Sequence, residues 1–591
     1  MLRRIMFALL PAVVAAAAPN LAYRTNAPTP PMGWNSWDIF GTTVTEEQIM
    51  QQADAMAEKL LPNGWQYLTV DIQWYEPNAK GHVYQEGAPL QMDEYSRLTP
   101  ALTKFPSAAE GAGFKPLADY VHSKGLKFGI HIMRGISRQA VKQNMPIIGT
   151  AAKAADIALT NHTCPWNPDM YGVDMSRQGA QEYYDSIFAL YASWGVDFVK
   201  VDDISRPYDD VQKAEIEAIR KAIDKTGRPI VLSLSPGDTP IERGSHVMNY
   251  ANMWRISDDF WDRWLPLRNM FGRLEKWSQY RAQGAWPDAD MLPFGFVEFG
   301  RPTRFTKNEQ RLCMSLWCIA RSPLIFGGDM TRLDEFTVNL LANSEVLAVN
   351  QASENNRQIS RDNNLIVWAA DVLGSSDKYV ALFNAQSENE DADFFSCTYK
   401  SPLLDAGRNT VGIAVSIKGK SRLTLAVSNA DDNFSWDHAV WVNPLLTGAK
   451  GTLSLTDLKW TSATAGWGRP MVNRTCEDKP LEVGGKSVEG IGTHAESTIV
   501  YDIPEGYDTF SAIGALTTNQ GSIRFGVLAE NVSAEKPESS EVSVAFSELG
   551  LGDKVKVRDL WEKKDVGVFE GEFGVALKYH QAGLYRLSPQ Q

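Results

Sequence analysis

The chain has 591 residues, of which 44% are hydrophobic and 22% charged, and its formal net charge is -13. That length exceeds what one hydrophobic core organises, so two or three domains are expected. The acidic balance argues against nucleic acid as a partner, because phosphate binding needs a basic face.

The first residues, MLRRIMFALLPAVVAAAAPN, read as a signal peptide over residues 1–20, with a basic Arg3–Arg4 start and an apolar stretch from Ile5 to Ala18. A secreted or periplasmic protein is therefore expected. The stretch is too short and too poorly flanked for a good transmembrane helix, so stable membrane insertion is not expected; an uncleaved anchor is the alternative.

From about residue 30 to residue 345, short apolar runs alternate with helical patterns, which argues for α/β architecture with a parallel sheet. Eight strands are predicted: Met32–Trp34, Tyr67–Asp71, Phe128–Ile132, Phe198–Asp202, Ile230–Ser235, Met253–Ser257, Ala285–Asp290 and Leu324–Gly327. Helical patterns such as EEQIMQQADAMAEKLL and QEYYDSIFALYASWG lie between them. Eight such units over about 300 residues predict a (β/α)8 TIM barrel. A doubly wound sheet is the alternative, but no Gly-rich dinucleotide loop follows the first strand. After about Asn350 the texture changes. NLIVWAADV, KYVALFNAQ and SRLTLAVSN alternate apolar and polar residues between turn-forming clusters, as all-β sandwich domains do. The polar segment AENVSAEKPESSE reads as a linker.

Polar side chains gather where the predicted barrel strands end: Asp71, His131, Asp202, Ser235, Asp259 and Asp288. In a barrel those ends converge on the face where the βα loops build a site. In FVKVDD, Lys200 and Asp202 share one face of a strand. A lysine beside an aspartate keeps the carboxylate ionised, as a nucleophile requires; a purely structural ion pair is the other reading. In MWRISDDFWDRW, aromatic rings and a second aspartate would raise a carboxyl pKa, as a general acid needs. There the other reading is a helix N-cap at Ser257 or Asp258, for a helix starting near Phe260. Two carboxylates at one barrel mouth fit glycoside hydrolysis. The 18 tryptophans suit a sugar-stacking protein, although indoles also fill large cores. Metal chemistry has little to stand on. The eight histidines are dispersed without an HxH or HExxH pattern. Cys164, Cys313, Cys318, Cys397 and Cys476 have no zinc-like spacing and are expected mostly as buried free thiols.

The blocks TPPMGWNSWDIFG, VDIQWYEP, WGVDFVKVDD, MWRISDDFWDRW, WPDADML and MSLWCIARSPLIFGGDMTRLDEFTVNLLANSEVLAVNQ together resemble glycoside hydrolase family 27, the α-galactosidase family, from about Thr29 to Asn350. The C-terminal VRDLWEKKDVGVFEGEFGVALKYHQAGLYRLSP is similar to the closing strands of that family's β-sandwich. The resemblance implies a retaining exo-glycosidase acting on terminal α-D-galactoside-type bonds, with Asp202 as nucleophile and Asp259 as acid/base. It also implies Trp37 as one wall of the sugar pocket, Asp71 on the distal hydroxyls, and Lys200 and Arg255 on sugar hydroxyls. No cofactor and no metal are implied. The partner would be an oligosaccharide or polysaccharide substrate.

Several positions depart from the family pattern. Ile72 stands where a second hydroxyl-binding aspartate is usual, His131 where a tyrosine is common, and Ser235 where many members carry a bulkier residue near the sugar 2-position. The family's cysteine after the nucleophile is absent, with Ile204 near that place, so its loop disulfide is not expected. These changes leave the mechanism in place and open the sugar specificity to β-L-arabinopyranosides, isomalto-oligosaccharides or dextran, and α-N-acetylgalactosaminides. A non-catalytic carbohydrate-binding protein on the same scaffold is the reading from another class; the two intact carboxylates oppose it.

Leu455–Val527 resembles the start and middle of an NPCBM-type carbohydrate-binding module, whose usual ending stands earlier, as LTLAVSNADDNFSWDHAVWVNP. That order suggests a circularly permuted module inserted in a sandwich; strands that merely enlarge the sandwich are the alternative. The expected domains are a barrel over 28–350, a sandwich over 351–397 and 534–591, and the inserted module over 398–533. Trp436, Trp441 and Trp467 are candidate stacking residues, with at least one expected in the core.

Overall fold

The computed structural model describes residues 21–386, 394, 397–430, 436–531 and 538–590. The expected signal peptide lies outside the described residues. The described chain forms two compact units. The first holds the residues up to Arg255 with 279–288 and 323–331; the second holds 256–278, 289–322 and the chain from Arg332 onward.

All eight predicted barrel strands form, and all belong to the first unit: β1 (Met32–Asn35), β2 (Tyr67–Val70), β3 (Lys127–Met133), β4 (Phe198–Asp202), β5 (Val231–Leu234), β6 (Met253–Arg255), β7 (Trp286–Asp288) and β8 (Leu324–Phe326). They make one parallel sheet in which β1 to β7 pair in sequence order and β8 pairs with β1, so that β7 and β8 are its two ends, the strand order of a (β/α)8 barrel. β1, β2 and β5 are buried at every residue, as parallel strands covered on both faces must be. The predicted helices form where the sequence signals them. Glu46–Lys59 opens on a capping box between Thr45 and Gln48, and Ala180–Trp194 stops at a left-handed Gly195.

In the second unit a six-stranded antiparallel sheet joins Ser353–Asp362, Leu365–Val372 and Lys378–Asn384 to Gln581–Pro589, Lys554–Asp559 and Lys564–Glu570. The two-stranded antiparallel sheet of Ser539–Ala545 with Glu572–Lys578 packs over it through Val542, Val544 and Phe573 against Val380, Leu382 and Leu587. The chain between these strand sets forms five- and six-stranded sheets of its own, around a separate core containing Trp441, Phe510 and Phe525. Trp441 is buried there, edge-on to Phe525 at 4.7 Å, whereas Trp436 and Trp467 are exposed.

Three expectations need correcting. Strand β6 ends at Arg255, not Ser257. The helix after it runs over Trp264–Trp277 with Arg263 at its N-cap position, so neither Ser257 nor Asp258 caps it; Phe260 instead donates its backbone N–H to the Asp290 carboxylate. The segment read as a linker is strand at both ends, since Arg524–Glu530 and Ser539–Ala545 take in its first and last residues; residues 532–537 lie outside the described residues. Polarity alone misled here, because antiparallel edge strands with one wet face are also polar. All five cysteines are buried and none is in a disulfide.

Candidate active site

The site grows from the carboxyl ends of β1 to β6. Asp71 follows β2, Asp202 closes β4, Ser235 follows β5 and Arg255 closes β6; His131 lies two residues inside the end of β3. The parallel register sets His131 directly beside Lys200 and Met133 beside Asp202. Alternation along β4 sends Lys200 and Asp202 to the same face.

Their hydrogen bonds cross between strands. Lys200 Nζ lies 3.0 Å from Asp71 Oδ2, and Asn35 at the end of β1 donates its amide to the same oxygen at 2.7 Å. The Ile72 N–H donates to Asp71 Oδ1 at 2.9 Å. His131 Nε2 lies 3.0 Å from Asp202 Oδ2, and the Asp203 N–H donates to Asp202 Oδ1 at 2.9 Å. Lys200, expected as the ionising partner of Asp202, thus pairs with Asp71 and acts on Asp202 through its charge as well.

The electrostatics follow from these contacts. Burial alone would raise the Asp202 carboxyl. The hydrogen bond and charge of His131, then the charge of Lys200, overcome it and hold the group well below the usual carboxylate range. Asp71 is likewise lowered: burial opposes ionisation, and Lys200, His131, Asn35 and the Ile72 N–H outweigh it. Asp203 moves the other way. Burial pushes it up to about 6 against the pull of Arg134, with Asp202 adding repulsion. Arg134 ties this region together. Its guanidinium reaches Asp203 at 2.8 Å, Glu215 at 3.0 Å and His162 Nδ1 at 2.9 Å. Because His162 Nε2 meets Asp209 at 2.7 Å, the ring carries its proton on Nε2 and accepts from Arg134 on Nδ1. None of Asn35, Arg134 and Glu215 stood out in the sequence. Asn35 and Arg134 do sit at or just past strand ends, as the catalytic candidates do, and strand phase was the signal that could have found them.

Trp37 belongs to the same neighbourhood, since its backbone N–H donates to Asn35 Oδ1 at 2.8 Å. Ser235 is buried, its N–H bonded to the Val201 carbonyl and its own carbonyl accepting from Ile204. The Arg255 side chain is buried, and its carbonyl accepts from the Thr239 hydroxyl at 2.7 Å. Ile72, at 1% exposure, gives the position after Asp71 a fully buried apolar side chain. In the second unit Asp258 is half-buried and Asp259 exposed. Among the described residues no group of three or more His, Cys, Asp or Glu side chains is arranged to hold a metal ion, and no helix is long and apolar enough to cross a membrane.

An aspartate held ionised at the end of a barrel strand, beside a buried lysine–carboxylate pair, fits a glycoside hydrolase. Family comparison agrees. The model described as alpha galactosidase A matches residues 29–152 and 168–352, just over half of the chain. An NPCBM/NEW2 domain model matches 396–447 and 451–544, and an alpha galactosidase C-terminal beta sandwich model matches 518–587. The last two overlap at strand Arg524–Glu530, which pairs with Arg422–Ser428 in the five-stranded sheet. An α-galactosidase of Cyamopsis tetragonoloba is 31% identical over 61% of this chain and 73% of its own length. Human α-galactosidase A is 27% identical over 61% of this chain and 75% of its own. Among solved structures, a family 27 β-L-arabinopyranosidase from Geobacillus stearothermophilus is 39% identical, covers 97% of this chain and 99% of its own, and superposes with a TM-score of 0.70. The chain belongs to glycoside hydrolase family 27, the α-galactosidase family.

Proposed function

We propose that this hydrolase releases terminal β-L-arabinopyranosyl units from oligosaccharides or polysaccharides, with retention of anomeric configuration. The observation that carries the sugar assignment is Ile72, buried directly after Asp71. An isoleucine there cannot accept a hydrogen bond from the exocyclic C6 hydroxyl of galactose, and arabinopyranose lacks that group. The 39% identity to the Geobacillus stearothermophilus β-L-arabinopyranosidase over nearly the whole chain supports the same reading. Hydrolysis of α-D-galactosides is the second reading, favoured by the α-galactosidase relatives.

In this mechanism the ionised Asp202 attacks the anomeric carbon while Asp259 gives its proton to the departing oxygen. A glycosyl–aspartate ester forms and the leaving group departs as an alcohol. Asp259, now a carboxylate, takes a proton from water as that water attacks the same carbon. The Asp202–sugar bond breaks and both carboxyls return to their starting states. Trp37 forms one wall of the pocket. Asp71, Lys200 and Arg255 bind hydroxyls, and His131 and Ser235 complete the lining. The route requires no cofactor.

The partition into a barrel over 28–350, a sandwich over 351–397 and 534–591, and an inserted sugar-binding module over 398–533 is part of this proposal, as is secretion or a periplasmic location.

The test is a panel of p-nitrophenyl glycosides: β-L-arabinopyranoside, α-D-galactoside, α-N-acetylgalactosaminide and α-glucoside, with isomalto-oligosaccharides alongside. The highest kcat/KM is expected on the arabinopyranoside. A preference for the galactoside would transfer the assignment to the second reading, and inactivity on every member would favour a non-catalytic sugar-binding protein.

A further inference from the structure

A row of aromatic side chains leads outward from Trp37, and the chemistry derived above leaves it unused. The Tyr84 ring lies 6.4 Å from that of Trp37 with the planes within 8° of parallel. Trp166 continues the row, 5.5 Å from Tyr84. His82 stands edge-on to Trp37 at 4.9 Å, and its Nε2 meets the Trp37 carbonyl at 3.3 Å. The row draws on three excursions of the chain, after β1, β2 and β3.

Each excursion is held in place. Gly41, at φ +51°, sits so close that a Cβ there would lie 2.4 Å from the Gly81 carbonyl oxygen and 2.9 Å from the His82 ring. The Gly81 carbonyl also accepts from the N–H and hydroxyl of Thr42, both at 2.9 Å. On the other side, Asp169 accepts from Gln73 at 2.6 Å and from the Tyr75 hydroxyl at 2.8 Å, which fastens the Trp166 segment to the loop carrying Asp71 and Ile72. Core indoles of the barrel, such as Trp34 and Trp74, are fully buried, whereas Trp37, Tyr84 and Trp166 are all half-buried. Rings spent only on packing would be covered as the core indoles are. Residues 153–167, which include Trp166, fall between the two stretches matched by the α-galactosidase A family model, so this part of the row lies outside the matched scaffold.

We infer that Tyr84 and Trp166 form a leaving-group subsite, a platform on which the flat C–H face of the group beyond the scissile bond stacks. A second pyranose ring and an aryl group share that face, and either would extend from a sugar walled by Trp37 along the row. The inference rests on the reading of Trp37 as a pocket wall.

The experiment compares wild type with Tyr84→Ala and Trp166→Ala on three substrates: β-L-arabinopyranosyl fluoride, which has no leaving-group ring, the p-nitrophenyl glycoside, and a disaccharide with terminal β-L-arabinopyranose. α-D-Galactosyl counterparts run in parallel. Each variant is expected to lose about tenfold in kcat/KM on the ring-bearing substrates, chiefly through KM, while the fluoride stays within about twofold. Tyr84→Phe and Trp166→Phe, which keep a ring, are expected to recover most of the loss. A loss confined to the aryl glycoside or to the disaccharide supports the subsite and names its ligand. Equal losses on the fluoride, or no loss on either ring-bearing substrate, would overturn the subsite and leave the glycosidase assignment standing. Failure of the wild type on both fluorides would sink the glycosidase reading itself.

Discussion

His131 Nε2 lies 3.0 Å from Asp202 Oδ2, so His131 is a direct partner of the candidate nucleophile. That contact is the first cause pulling the Asp202 carboxyl below its ordinary range against burial. The sign of the pH effect follows. A carboxyl lowered in the folded state adds stability that is complete above its unfolded value, about 4, and is lost as the pH falls from there toward the folded value. In His131→Leu the acid limb of kcat/KM is predicted to move to higher pH, with activity on that limb falling about tenfold or more, because a hydrogen bond to a charged group is lost. An acid limb that stays in place would show that His131 does not set the ionisation of Asp202.

Replacing Asp202 by Asn removes the attacking oxygen anion and keeps the shape. Turnover of even an activated aryl glycoside is expected to fall by about four orders of magnitude, with sugar binding still measurable by calorimetry. Near-normal activity in this variant would refute the nucleophile assignment.

Asp259→Ala separates acid catalysis from binding. A p-nitrophenolate leaves without a proton, whereas a sugar alkoxide does not, so the predicted loss is about a hundredfold greater on disaccharides than on activated aryl glycosides. Equal losses across a series of leaving groups would mean that Asp259 is not the proton donor.

Lys200→Met tests the cross-strand pair. Asp71 is 1% exposed and would keep the Asn35 amide and the Ile72 N–H as hydrogen-bond partners, with the lysine charge gone. Removing one member of a buried ion pair typically costs about 3–5 kcal/mol. Denaturant unfolding of the barrel is therefore predicted to shift by that order at neutral pH. An unchanged midpoint would place Lys200 outside the forces that hold Asp71.

Ile72→Asp is a specificity test. Given a second acceptor beside Asp71, the α-galactoside to β-L-arabinopyranoside ratio of kcat/KM is expected to rise by about tenfold or more. A ratio that does not move in a folded variant would locate the discrimination elsewhere.

The sequence by itself determined the barrel and most of its phase. Apolar runs of three to six residues, separated by amphipathic helices, are a local signal, and each predicted strand formed within two residues of its expected limits. Alternation along FVKVDD also placed Lys200 and Asp202 on one face without coordinates. Only the tertiary structure decided which carboxylate Lys200 and His131 each meet. Lys200 reaches Asp71 across 129 positions of sequence and His131 reaches Asp202 across 71, because parallel register brings together residues that no spacing rule connects. The same holds for the aromatic row from Trp37 to Trp166. It exists because three separate excursions are pinned side by side through Gly41, Thr42 and Asp169, long-range contacts for which a linear pattern carries no mark.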